Sequence, residues 1–133
     1  MNEQNVRLWI EALRSDEFDQ GTTKLTKIDD DGYETDCCLG VACKVAIKHG
    51  VPLKVEIRAS SSVDSVAYKA YGETEEEEWL PSEIKDWLGL DSRDPVLALD
   101  KFESLTATEL NDDRGYDFDQ IADAVEAKLN GNS

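Results

Sequence analysis

Three cysteines within seven residues, Cys37, Cys38 and Cys43, and a single histidine, His49, are the side chains of this sequence best suited to nucleophilic or metal chemistry. They fall in the stretch Asp36 to Gly50, DCCLGVACKVAIKHG, which is apolar on nearly all sides of its first turns and predicts a central, largely buried helix. Asp36 would cap it and Gly50 would end it. On a helical wheel Cys37 lies between Lys44 and Lys48 on the one wet stripe, while Cys38 and Cys43 flank the buried side as small apolar core residues. Cys37 is thus the one candidate catalytic residue, a thiol at a helix start where the macrodipole favours thiolate and Asp36 opposes it. His49 would lie about 18 Å further along the rod at 1.5 Å per residue, so no Cys-His dyad is expected. Structural zinc needs four converging ligands and these thiols diverge, so no metal site is expected. The odd count and the divergence of Cys38 and Cys43 also argue against a disulfide.

Carboxylates are the other abundant chemistry. The 133 residues hold 30 Asp and Glu against 14 Lys and Arg, a formal net charge of −16. Most of that acidity lies beyond residue 58. Glu75, Glu76, Glu77 and Glu78 form one like-charge run, expected to be solvated, and Trp79 follows it directly. These five residues are the candidate binding site, an aromatic anchor beside acids, while core packing is the more usual use of a tryptophan such as Trp79. No pair can be singled out among 30 acids for acid-base work. The run IDDDG resembles a calcium loop, but with Gly32 at the sixth place Lys27 and Cys38 occupy positions that need Asp and Glu. No GxGxxG, GxxxxGK[ST] or GxSxG occurs, so no cofactor is expected. No three basic residues fall within any ten, which excludes direct nucleic-acid binding and an anionic membrane surface. The inverse possibility is an acidic imitation of duplex DNA, whose charges are spaced about 1.7 Å along its axis.

The elements that must position these groups are legible from periodicity and punctuation. Val6, Trp9, Ile10 and Leu13 predict an amphipathic helix over residues 5 to 14. Residues 22 to 28 and 33 to 36, flanking IDDDG, predict a hairpin. Leu53, Val55 and Ile57 alternate with Lys54, Glu56 and Arg58, and residues 66 to 71 alternate likewise, predicting two half-buried strands joined by a loop at Ser60 to Ser62. Residues 95 to 99 suit a short buried strand. Pro81 opens a short helix stopped by Gly89. Thr106 with Glu109, and Asp117 with Gln120, are capping boxes that start two helices around an NDDRG turn. That pair has helix-turn-helix spacing, but its second helix would present Asp119, Gln120, Asp123 and Glu126 with Lys128 as its one base, the wrong charge for phosphate.

The ordered set CCLGVAC (37 to 43), LP followed by WLGL (80, 81 and 87 to 90), and LND followed by FDQIADAVE (110 to 112 and 118 to 126) resembles a recurring set of small uncharacterised proteins of tailed phages and prophages. Trp9, Ala12, Leu13, Arg14, Ser15, Asp16 and Gln20 match its opening, with Asp16 where glycine is usual. Outside residues 51 to 78 the likeness touches most of the chain. It implies a phage accessory origin and carries over no catalytic residue.

These readings converge on a single α+β domain spanning residues 1 to 133, with a central Cys-bearing helix and peripheral helices packed on a small, mainly antiparallel sheet and a frayed tail at 130 to 133. No apolar run approaches 18 residues and no secretory leader is recognisable, so a cytoplasmic protein is expected, in the host cytosol if phage-encoded. The function expected is a non-catalytic binding module for a host or phage protein or a small ligand. The alternatives are the DNA mimic and a thiol-dependent enzyme using Cys37.

Overall fold

Val6, Trp9, Ile10 and Leu13, the apolar set at helical spacing, are all buried on one side of α1 (Glu3–Arg14) in the computed structural model, which describes residues 1–61, 65–100 and 103–131. Asn2 caps this helix by accepting from the Asn5 N–H. The Trp9 indole donates to the Cys38 carbonyl at 2.9 Å, which fixes α1 against the cysteine helix. The chain then forms β1 (Thr26–Ile28) and β2 (Glu34–Asp36), the expected antiparallel hairpin, with Gly32 at φ 83° in its turn. After α2 (Cys38–Lys48) come β3 (Val55–Ala59) and β4 (Ala67–Tyr71), then α3 (Ser82–Leu88). Strands β5 (Val96–Asp100) and β6 (Glu103–Thr106) form a separate pair, followed by a π-helical turn (Glu109–Asp113) and α4 (Phe118–Leu129). The result is an α+β architecture: a four-stranded antiparallel sheet in the order β2-β1-β4-β3, a two-stranded sheet, and helices around α2.

Helix α2 is the centre of the core, with every residue from Cys38 to Ala46 buried except Lys44. Gly40 permits this, because Leu25 just before β1 crosses the helix there: a Cβ on Gly40 would sit 1.8 Å from the Leu25 carbonyl oxygen. The stop of α3 and the start of α4 hold. Gly89 adopts the left-handed conformation at φ 69° and the Leu90 N–H returns to the Lys85 carbonyl, while Asp117 and Gln120 make both bonds of their capping box.

Four expectations change. Asp36 is the last residue of β2 and not the cap of α2; Cys37 holds the N-cap position and offers no side-chain bond. Pro81 likewise sits at the N-cap of α3, one residue before its first turn. Thr106 and Glu109 do bond reciprocally, but Thr106 closes strand β6 and the turn that follows is π-helical rather than the start of an α-helix. The fourth change is in β3, where the apolar residues are the exposed ones, Val55 by 39% and Ile57 by 67%, and Glu56 and Arg58 are half-buried. The register explains it. Val55, Ile57 and Ala59 do lie on the face shared with Tyr71 of β4 and Asp36 of β2, the face on which Lys44 of α2 is bonded. But β3 is the outermost strand, and α2 packs at the β2 end, so no element among the described residues roofs that face over β3. The Ser60 to Ser62 loop and the 130 to 133 tail extend past the described residues; within them, Asn130 still donates to Glu126 as the end of α4.

Candidate functional site

Cys37, Cys38 and Cys43 are free thiols sealed in the core, and Cys37, placed by the wheel on a wet stripe, is only 3% exposed. The wheel fails because Leu25 and the segment after β6 cover the helix start: the Cys37 N–H donates to the Leu25 carbonyl, and the Cys38 thiol points at the Ala107 carbonyl. Burial pushes the Cys37 thiol up to about 12, a larger effect than the two backbone N–H groups that would favour thiolate. Burial also holds Cys38 and Cys43 well above the ordinary thiol range. His49 is exposed at the opposite end of α2. A nucleophilic Cys37 therefore lacks both access and charge.

The acidic run is a strap rather than a solvated tether. Glu75 holds Arg58 at 2.8 Å, Glu76 holds Arg93 at 2.7 Å, and Glu77 holds Lys24 at 2.5 Å. Its backbone joins the sheet as well: Glu76 bridges Tyr71 in both directions, and the Leu25 N–H donates to the Glu77 carbonyl at 2.7 Å. Lys24 completes the seam by standing over the Tyr68 ring at 4.6 Å. Sequence patterning missed this because each cation comes from a different, distant element. Glu78 makes only a 4.0 Å approach to Lys24. Trp79, next to it, is 48% exposed and lines a shallow depression of about 210 Å³ with Thr23, Glu78, Thr108 and Asp112.

Asn111 precedes Asp112, one of the residues lining that depression. It is buried, and its side chain makes four bonds: Oδ1 accepts from the Cys38 N–H and from Gln20 Nε2, and Nδ2 donates to the Gly21 carbonyl and to Asp112 Oδ1. Asp112 Oδ1 also accepts from the Thr23 N–H at 3.2 Å. Asn111 thus caps α2 from 73 residues away, the service Asp36 was expected to give. The LND motif marked the position; the partner it caps was invisible in the sequence. Replacing Asn111 by alanine strands a buried helix-terminal N–H and the half-buried Gly21 carbonyl, and is expected to cost about 3 kcal/mol in urea unfolding. A loss below about 1 kcal/mol would mean water takes over those bonds.

A second polar cluster, also missed, sits where α2 meets the sheet. Thr26 Oγ1 donates to Asp36 Oδ1 at 2.5 Å and shares a 2.7 Å bond with the Tyr71 hydroxyl, while Lys44 Nζ bridges Asp36 at 2.9 Å and Glu34 at 2.7 Å. Lys69 adds a 2.9 Å bond to Glu34. Burial raises the Asp36 carboxyl despite Thr26 and Lys44, and raises the Tyr71 hydroxyl. Glu34 is lowered by its two lysines, which outweigh its partial desolvation, and Lys44 is raised by Glu34 and Asp36 over its own burial. Each group here has its partner within the cluster, which suits it to holding β2, β4 and α2 together.

Two further features complete the surface. The Asp29, Asp30 and Asp31 carboxylates gather within 4.8 Å of one another, but Asp29 Oδ1 is engaged by the Asp31 and Tyr33 N–H groups and so serves the hairpin turn. A cavity of about 430 Å³ lies between the N-terminus, the residues after α3 and the end of α4, lined by Gly89, Leu90, Pro95, Val96 and Leu129 among others. Lys128 stands there with its ammonium donating to the Val96 carbonyl. No helix among the described residues is long and apolar enough to cross a membrane.

The model of one family, described as a domain of unknown function (DUF8296), matches residues 1–129, and the chain belongs to that family. No curated protein and no solved structure matches it.

Proposed function

We propose that this DUF8296 member is a non-catalytic binding module of phage accessory type that takes a protein partner at the Trp79 depression. The observation that carries the reading is Trp79 itself. A fold that buries Trp9 completely leaves this second indole half in solvent, at the rim of a concavity with Glu78 and Asp112 beside it. That arrangement fits an arginine or lysine side chain of the partner, its apolar stem along the indole and its cationic head between the carboxylates. The overall charge of −16 would speed encounter with such a basic surface. The thiol-enzyme alternative draws little support from buried, protonated thiols. Mimicry of DNA needs rows of free carboxylates, and Glu75, Glu76, Glu77, Glu103, Asp123 and Glu126 each hold a cation of this same chain.

The test is retention of a partner from lysates of infected and uninfected host cells by the tagged chain and by Trp79→Ala. The exposed position makes the substitution cheap for the fold, so unfolding midpoints should agree. Loss of the same retained protein, or at least a tenfold weaker affinity for it once purified, is expected for the variant. Equal retention by both chains would place the contact elsewhere.

A further inference from the structure

The two edges of the four-stranded sheet are finished differently. Along β2, the Asp36 N–H donates to the Asp19 carbonyl and the Gly21 N–H donates to the Asp36 carbonyl, so the preceding chain covers that edge. Along β3 no strand lies outside it among the described residues. Its hydrogen-bonding phase follows from its flanks. The Gly72 N–H donates to the Lys54 carbonyl and the Ser60 N–H to the Val66 carbonyl, so Lys54, Glu56, Arg58 and Ser60 face β4 with their backbone groups. Val55, Ile57 and Ala59 therefore direct theirs to the open edge. The side chains of the same three residues are exposed. An exposed edge with apolar side chains is a template for another strand.

We propose that β3 is a dimerisation edge, on which β3 of a second copy of this chain pairs antiparallel across a two-fold axis through Ile57. The register is selected by charge. With Ile57 opposite Ile57 of the second copy, Val55 meets Ala59, and Glu56 of each copy meets Arg58 of the other. The outward phase makes 57-57 and 55-59 the hydrogen-bonded pairs. Glu56 and Arg58 then fall on the intervening non-hydrogen-bonded pairs, where side chains come closest. Both faces are satisfied at once: the unroofed apolar ridge of one copy meets that of the other, and on the opposite face the Glu56–Arg58 pair of each copy, 3.0 Å apart within the chain, joins that of the other in a four-charge ring across the axis. Centring on Glu56 would oppose Glu56 to itself and Lys54 to Arg58, and centring on Arg58 would oppose Arg58 to itself. Centring on Val55 matches Lys54 with Glu56 but overlaps only the first half of the strand. Lys54 and Arg58 are balanced by Glu56 and Glu75, which lie within 3.8 Å of them, so this strip is close to neutral in a chain of net −16 and opposes a second copy little.

Sedimentation velocity from about 1 to 500 µM tests the proposal, with circular dichroism confirming that each variant is folded. The native chain should shift from monomer to dimer with concentration. Glu56→Arg alone, or Arg58→Glu alone, places like charges opposite each other twice across the axis and should weaken the dimer at least about tenfold, equivalent to 1.4 kcal/mol. Mixing the two variants should restore it, because every reversed side chain then meets an opposite charge. A monomer at every concentration, a dimer indifferent to the single reversals, or a mixture no stronger than its components would each overturn the assignment.

Discussion

Gly40→Ala is expected to lower the stability of the chain by at least about 3 kcal/mol, at a helical position where the same change ordinarily stabilises by about 1 kcal/mol. The sign is reversed by what lies over the helix. The added Cβ would meet the Leu25 carbonyl oxygen at 1.8 Å, its carbon at 2.7 Å and its Cα at 3.2 Å, all backbone atoms that cannot swing aside. Nor can the Leu25 segment retreat as a unit. Its carbonyl accepts the Cys37 N–H, its own N–H donates to Glu77, and its side chain is fully buried. Relief at Gly40 would therefore loosen the start of α2, the entry to β1 and the acidic strap together. Urea unfolding should show the loss as a lower midpoint. Gly50→Ala is the control: nothing lies within 4 Å of its Cβ, and only its φ of 93° opposes the change, so about 1 kcal/mol is expected. If Gly40→Ala left the midpoint unchanged or raised it, the crossing of Leu25 over α2 would be wrong.

Part of that crossing is legible in the sequence: a glycine inside an otherwise apolar helix costs about 1 kcal/mol relative to alanine and implies a close approach by another element, without naming Leu25 as that element. Features whose cause lies within a few residues are legible outright: the capping box of Asp117 with Gln120, the Gly89 stop, the hairpin around Gly32 and the buried stripe of α1. What could not be read is what depends on who is opposite. The alternation of Val55 and Ile57 with Glu56 and Arg58 states which residues share a face, and does not state whether a helix covers that face at the outermost strand. Strand β6 escaped notice because Glu103 to Thr106 lacks the alternation of a half-buried strand and shares Thr106 with a cap signature.

The candidate site divides along the same line. Trp79 beside the acids reads first as a core residue and second as an anchor, and the structure leaves it half in solvent, because no element among the described residues packs over the end of the strap to bury it. Glu75, Glu76 and Glu77 looked like free charge because a run of one sign carries no record of Arg58, Arg93 and Lys24 folding onto it. Cys37 looked wet because the wheel sees only its own helix, whereas its cover comes from Leu25. Asn111 and the Asp36 cluster were missed for a related reason: their partners lie on separate elements, and polar residues in such networks look ordinary one at a time.

Those buried thiols carry the second large effect, a steep loss of stability in alkali. An acid that keeps its proton longer in the folded chain than in the unfolded one costs stability at each step of pH above its unfolded value, because only the unfolded state gains by ionising. All three cysteines are of this kind, with Cys37 raised to about 12 and Cys38 and Cys43 well above the ordinary range. From pH 9 upward each contributes a slope of about 1.4 kcal/mol per pH unit, so the three together remove about 4 kcal/mol per unit. Tyr71, raised by its burial, and Lys44, raised by Glu34 and Asp36, push the same way once pH passes their unfolded values. Asp36 and Glu34 act in the acid range in opposite directions and leave this window untouched. Urea unfolding under a reductant at pH 7, 9 and 10 should thus show a plateau followed by collapse. Cys43→Ala discriminates the cause: whatever it costs at pH 7, it should flatten the slope between pH 9 and 10 by about one-third, since it removes one of the three thiols that dominate that window below the onset of Tyr71 and Lys44. A chain equally stable at pH 7 and pH 10, or a slope indifferent to Cys43→Ala, would mean that the thiols of α2 reach solvent.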